Sequence, residues 1–180
     1  MICYFCKQNS ANTLEHLIPK GLKGREQARI LCHICNNKFG RDLDKGLISF
    51  FSSKDVVINN LVLRGILKIA INFCIANKVF VEEGVGLLLS NCLLDNYVRQ
   101  IEYIPRKNEV SHSLILYGEL GGRIYAIITI YNRSFLVDLG FNDKRERIFK
   151  NYCYSFTRRK KCCKKYYKDL DVEKILFQNV

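Results

Sequence analysis

Apolar residues dominate the chain from Val56 to Val81, and polar residues interrupt them at near-helical spacing: Arg64, Lys68 and Asn72. Asn59 and Asn60 add polarity, and the longest uninterrupted apolar stretch falls far short of the about 20 residues a membrane-spanning helix needs. The pattern predicts a buried core helix over about Asp55 to Asn77, with Ser52 and Ser53 as caps and Asp55 in its first turn. A second helical pattern, GVGLLLSNCLLDNYVRQI, predicts a helix from about Val85 to Gln100, and Pro105 ends helical territory. The texture then changes. The stretch from His112 to Leu139 is rich in Ile, Leu, Tyr and Val, with breaks at Gly121-Gly122 and Asn132. It predicts a β-meander with strands near 112–118, 123–131 and 134–139, and NYCYSFT offers a fourth. A basic run, RRKKCCKK, and a short closing helix in LDVEKILFQ complete the chain.

The first 46 residues are different: loop-rich, with Cys, Gly, Asn and His, turning helical near Cys32 to Cys35 and ending by Gly46. There is no internal repeat or low-complexity linker. The expected architecture is α+β, with a small metal-bound module over 1–50 and a helical and antiparallel β region over 51–180 that ends in a basic segment.

Composition adds direction. The 180 residues suffice for a real core, and a 48% hydrophobic fraction excludes disorder as the default. Net charge is +12, distributed as +4 over 1–50, +1 over 51–140 and +7 over 141–180. A polyanionic partner fits the two ends, although a charge run alone is usually a solvated face. The first residues, MICYFCKQNS, show no apolar core behind a basic start. With nine cysteines, this argues for metal binding in a reducing, cytoplasmic compartment rather than a disulfide framework.

Four cysteines form two CxxC pairs, Cys3 with Cys6 and Cys32 with Cys35. The turn within a CxxC points both sulfurs at one metal, and two such knuckles complete a tetrahedral thiolate site, the closed pattern of structural zinc. Two inert buried pairs are the competing explanation. His33, inside the second knuckle, is expected beside the site or at the surface. Cys74 and Cys92 fall in apolar helical patterns and belong to the core, while Cys153, Cys162 and Cys163 lack an obvious fourth ligand.

Between the knuckles lies TLEHLIPKGL, with Glu15 and His16 side by side, and the second knuckle runs on as LCHICNNKFG and then LD. Phosphodiester hydrolysis needs an activated water, charge neutralisation on phosphate and a stabilised leaving oxygen. A histidine can take the proton from water. A carboxylate and an amide oxygen are hard ligands suited to Mg²⁺. Adjacent strand residues point to opposite faces, so Glu15 and His16 belong where the hairpin bends, or Glu15 approaches a metal from the side.

These motifs, in this order, resemble the HNH endonucleases, and most of all members with EH-Ile/Leu-IP between two CxxC knuckles and CNN after the second. The resemblance covers Cys3 to about Asp44, roughly a quarter of the chain. It implies a ββα-metal, treble-clef-like finger. It further implies His16 as general base, Glu15 and Asn36 as ligands of one Mg²⁺ or Mn²⁺, and DNA as substrate with 5′-phosphate products. Asn37 is an alternative ligand. Two positions depart from the pattern. Gln27 stands where the family has an Asn that braces the histidine loop, and Phe39 stands where a Lys is usual. Lys38 and Arg41 are nearby candidates for phosphate contact.

Beyond residue 50, Arg158, Arg159, Lys160 and Lys161 are the best candidates for nucleic-acid backbone contact, against a solvated tail. His112 reads as a satisfied histidine at a sheet edge, and Tyr117, Tyr125 and Tyr131 as packing. Two rival functions are a non-catalytic zinc-dependent nucleic-acid-binding module and a nuclease subunit active only within a larger assembly. RNA is an alternative substrate, and a homodimer or a larger defence-type assembly an alternative state.

Overall fold

Residues 1–53, 57–79, 101–105, 111–118, 122–131, 133–141, 148–155 and 160–161 are described by a computed structural model. The predicted helix at Val85 to Gln100, the closing helix, Cys92, Arg158, Arg159, Cys162 and Cys163 lie outside these residues.

The chain begins with a hairpin. Strands β1 (Thr13–His16) and β2 (Gln27–Leu31) are antiparallel, and Glu15 stands across from Ala28 and His16 across from Gln27. The loop between them is pinned from inside: Leu17, Ile18 and Leu22 are buried. Leu17 N–H donates to the Glu26 carbonyl at 2.9 Å, which extends the ladder one step beyond β2. Gly24 closes the loop against the Ile18 carbonyl, and any Cβ at that position would collide with it.

Helix α1 (His33–Phe39) follows directly, with Cys32 at its N-cap. The Asn12 side-chain oxygen accepts the His33 N–H at 3.2 Å. It supplies the cap that a cysteine side chain does not. The predicted stop near Gly46 is not observed. The helix passes through one wide π-type turn (Gly40–Asp44) into α2 (Lys45–Ser52). Gly46 therefore sits inside a helix, where it makes room for Leu61 rather than ending the element. Together β1, β2 and α1 form the ββα arrangement expected of the N-terminal module.

Helix α3 (Asn60–Ala76) starts later than predicted, because Asn59 rather than Ser52 or Ser53 is the cap: its side chain accepts the Val62 N–H at 3.0 Å. Ser52 instead ends α2. The C-terminus of α3 closes as a Schellman motif. Val79 N–H reaches the Cys74 carbonyl, Lys78 N–H reaches the Ile75 carbonyl, and Lys78 is left-handed with φ 59°. Residues 62–63 and 65–74 are buried. Gly65 lets α3 approach Leu47 of α2 more closely than any Cβ would allow. No described helix is long and apolar enough to cross a membrane.

A six-stranded antiparallel sheet packs on α3. Its strands are β3 (Ile101–Pro105), β4 (Ser111–Gly118), β5 (Arg123–Tyr131), β6 (Arg133–Phe141), β7 (Ile148–Ser155) and β8 (Lys160–Lys161), in the spatial order β3-β6-β5-β4-β7-β8. The predicted meander and its fourth strand correspond to β4 to β7; β3 and β8 were not foreseen. Leu114, Ile128 and Phe135 stand in register across three strands, as do Leu116, Ala126 and Val137. All six are buried in the core that includes α3 and the hairpin.

Two polar clamps fasten the sheet to the N-terminal elements. His112 lies on β4, between β5 and β7, not at a sheet edge. Its Nε2 lies 2.5 Å from the Leu22 carbonyl in the hairpin loop. Arg133 donates to the carbonyls of Phe50 at 2.5 Å and Ser53 at 2.8 Å, where α2 ends.

Candidate functional site

The four predicted cysteines converge. All four sulfurs lie within 4.8 Å of one another, and Cys6 and Cys32 are 3.8 Å apart. Metal–sulfur bonds of about 2.3 Å at tetrahedral angles place sulfurs about 3.8 Å apart, so the cluster has the donor set and spacing of structural zinc. The first knuckle is a turn in which Lys7 N–H donates to the Cys3 carbonyl at 3.0 Å and Lys7 is left-handed with φ 57°. Backbone N–H groups of Gln8 and Asn9 pull the Cys6 thiol down to about 6. Burial pushes Cys35 up. Zinc would let both carry the thiolate form by neutralising them together. His33 is exposed and paired with Asn37, whose side-chain nitrogen is 3.0 Å from His33 Nε2. That contact puts Asn37 on the solvent side of α1, whereas Asn36 is half-buried with Cys35 and Phe39.

Glu15 and His16 end β1 with opposite orientations, as the strand geometry requires. His16 is half-buried, and the Gln27 amide nitrogen lies 2.8 Å from its Nε2 and 3.4 Å from its Nδ1. Gln27, the position where the chain departs from the family pattern, thus holds the imidazole directly. Burial lowers the His16 pKa, as does the positive charge of Lys20, against an opposing effect of Asp44. The neutral, proton-accepting ring is therefore favoured at neutral pH.

Glu15 faces inward and is 4% exposed. Its Oε1 meets Lys68 Nζ at 2.5 Å and accepts from Asn72 Nδ2 at 3.3 Å. Lys68, fully buried, also reaches Asp44 Oδ1 at 2.7 Å. Burial pushes the Glu15 carboxyl up, and Lys68 and Asn72 oppose that shift only in part. Lys68, Asn72 and Asp44 were not among the predicted site residues. Their signal was present: Lys68 and Asn72 are polar residues four apart in an apolar helix, which marks one face with something polar to meet.

Glu15 and Asn36 offer the hard oxygen donors of a Mg²⁺ or Mn²⁺ site. The Glu15 oxygen is already bonded to a cation, the buried Lys68 ammonium, which also meets Asp44. The donor type of Glu15 and Asn36 suits a divalent ion, and such an ion would have to compete with Lys68 for Glu15.

Lys20, Lys23, Arg25 and Arg29 are exposed on the hairpin and its loop, and Lys38 and Arg41 on the helix side. Arg41 forms a surface ion pair with Asp42 at 3.0 Å. Lys160 and Lys161 form β8.

A hairpin and helix gathered at a four-cysteine cluster, with a histidine at the hairpin's bend, form a ββα-type finger. Residues 3–52, a little over a quarter of the chain, match the family model described as HNH endonuclease. No curated protein and no solved structure matches the chain. The family supports a nuclease-type function and implies a nucleic-acid substrate.

Proposed function

We propose that this protein is a metal-dependent endonuclease that hydrolyses phosphodiester bonds in DNA. The observation that carries this proposal is the cross-strand pair of His16 and Gln27 inside a segment that matches the HNH endonuclease family. His16 is the general base: its neutral ring takes the proton of the attacking water. The Gln27 amide, with its oxygen turned to accept the ring N–H, would orient the ring and leave its other nitrogen free to take the proton. Glu15 and Asn36 would hold one Mg²⁺ or Mn²⁺, which when bound supplies positive charge to the phosphate and to the leaving oxygen. The exposed Lys20, Lys23 and Arg25 of the hairpin loop, with Lys38 and Arg41 on the helix side, offer positive charge suited to a phosphate backbone. Lys160 and Lys161, with Arg158 and Arg159, extend the basic character toward the C-terminus. Zinc held by Cys3, Cys6, Cys32 and Cys35 would keep hairpin and helix in register.

The test is nicking of supercoiled plasmid with Mg²⁺ or Mn²⁺ by the native chain and by His16→Ala. Metal-dependent nicking that disappears in the variant is the expected result. Equal cutting by both proteins would overturn the role of His16. Tight, salt-sensitive binding without cutting would favour a nucleic-acid-binding module instead.

A further inference from the structure

Helix α3 begins eight residues beyond the segment that matches the HNH family, yet it places two side chains on Glu15. Lys68 and Asn72 are one helical turn apart, so both reach the same face of the hairpin. Lys68 is fully buried, and its ammonium is bonded to two carboxylates that arrive from different elements: Glu15 from β1 and Asp44 from the wide turn before α2. A fully buried lysine needs such partners.

We infer, on the nuclease reading above, that Lys68 is a positioning residue of the hydrolytic site: its ammonium holds the Glu15 carboxylate inside the protein, and a divalent ion engages Glu15 only in competition with it. Lys68 fastens Glu15 Oε1 at the hairpin's bend. The same ammonium, 2.5 Å from Oε1, repels any dication that approaches that oxygen. Glu15 is thereby held in place while its affinity for a divalent ion is kept low. A lysine that served only to hold the fold would leave ion affinity unchanged when replaced by a neutral side chain in a folded protein.

The experiment measures Mn²⁺ binding to the full zinc-loaded chain by the electron paramagnetic resonance signal of free Mn²⁺. Four proteins are compared: native, Lys68→Met, Lys68→Met with Glu15→Gln, and Asp44→Asn. Lys68→Met is expected to bind Mn²⁺ about tenfold more tightly or better, and adding Glu15→Gln should abolish that gain. Asp44→Asn removes one carboxylate and leaves the Lys68–Glu15 pair, so it should bind several-fold more weakly. It also carries the test if far-ultraviolet circular dichroism shows that Lys68→Met does not fold. Unchanged Mn²⁺ affinity in the folded variants, or no Glu15-dependent binding in any protein, overturns the inference. Plasmid nicking is scored separately. A Glu15-dependent affinity change without nicking would sink the nuclease proposal and leave the competition between Lys68 and the ion standing.

Discussion

The Gln27 amide nitrogen lies 2.8 Å from Nε2 of His16, its partner directly across the hairpin. Because the two residues are paired by the ladder itself, the brace needs no loop of its own. Gln27→Ala should lower kcat at least about tenfold, part of the roughly 10²–10⁴ that general-base assistance supplies. Zinc content and the melting temperature should stay near native, because Gln27 is exposed. Steady-state nicking rates alongside zinc analysis check this, and a native kcat would sink the bracing role.

The pH profile follows from the surroundings of His16. A base must be neutral to act, so activity is lost as pH falls through the His16 pKa. Burial and Lys20 depress that pKa below its ordinary 6.5, so the acid limb of kcat/KM should lie below 6.5 and the plateau should already cover neutral pH. Lys20→Gln removes one depressing charge and should move the limb to higher pH. An acid limb above 6.5 in the native protein, or a shift to lower pH in the variant, would contradict this account.

The four-cysteine cluster predicts a finger that depends on metal. Its four sulfurs lie within 4.8 Å, and without a cation their thiolates would repel. Zinc binding contributes about 10–16 kcal/mol to folding in comparable small peptides. One zinc per chain is expected by elemental analysis. Chelation should lower the melting temperature and abolish nicking even with Mg²⁺ in excess. Cobalt substituted for zinc should show the absorption bands of tetrahedral thiolate coordination. Metal-free protein that melts as the native does would rule out the structural role.

How far the sequence revealed these features depended on distance along the chain. The paired knuckles were legible because each CxxC is a local turn, and the meander because runs rich in Ile, Leu, Tyr and Val are broken at Gly121-Gly122 and Asn132. Lys68 and Asn72 were visible as interruptions, but their partner was not: Asn72 and Glu15 are 57 residues apart, and only packing brings them together. Gly46 read as a stop because local propensity says so, whereas tertiary contact with Leu61 is what requires a glycine there. Gln27 read as a defect in the family's pattern, and only the strand register shows that its side chain reaches the ring.

Arg133 shows how the sheet supports the finger from a distance. It stands on β6, is 7% exposed, and donates to the carbonyls of Phe50 and Ser53 at the end of α2. Those carbonyls belong to the negative end of the helix, where a cation is favoured. The guanidinium also lies 4.5 Å from the Phe50 ring centroid, adding a cation–π contact. Arg133→Met keeps much of the volume but strips both donors, and it leaves a buried carbonyl at Phe50 without the partner it has in the native chain. A hydrogen bond from a charged donor contributes about 1.5–3 kcal/mol, so the variant should lose about 3 kcal/mol in urea-induced unfolding. Lys in the same place carries the charge on one nitrogen and cannot span both carbonyls as a fork does, so Arg133→Lys should recover only part of that loss. A loss below about 0.5 kcal/mol for Arg133→Met, the range of ordinary surface substitutions, would show that α2 is held by its apolar face alone.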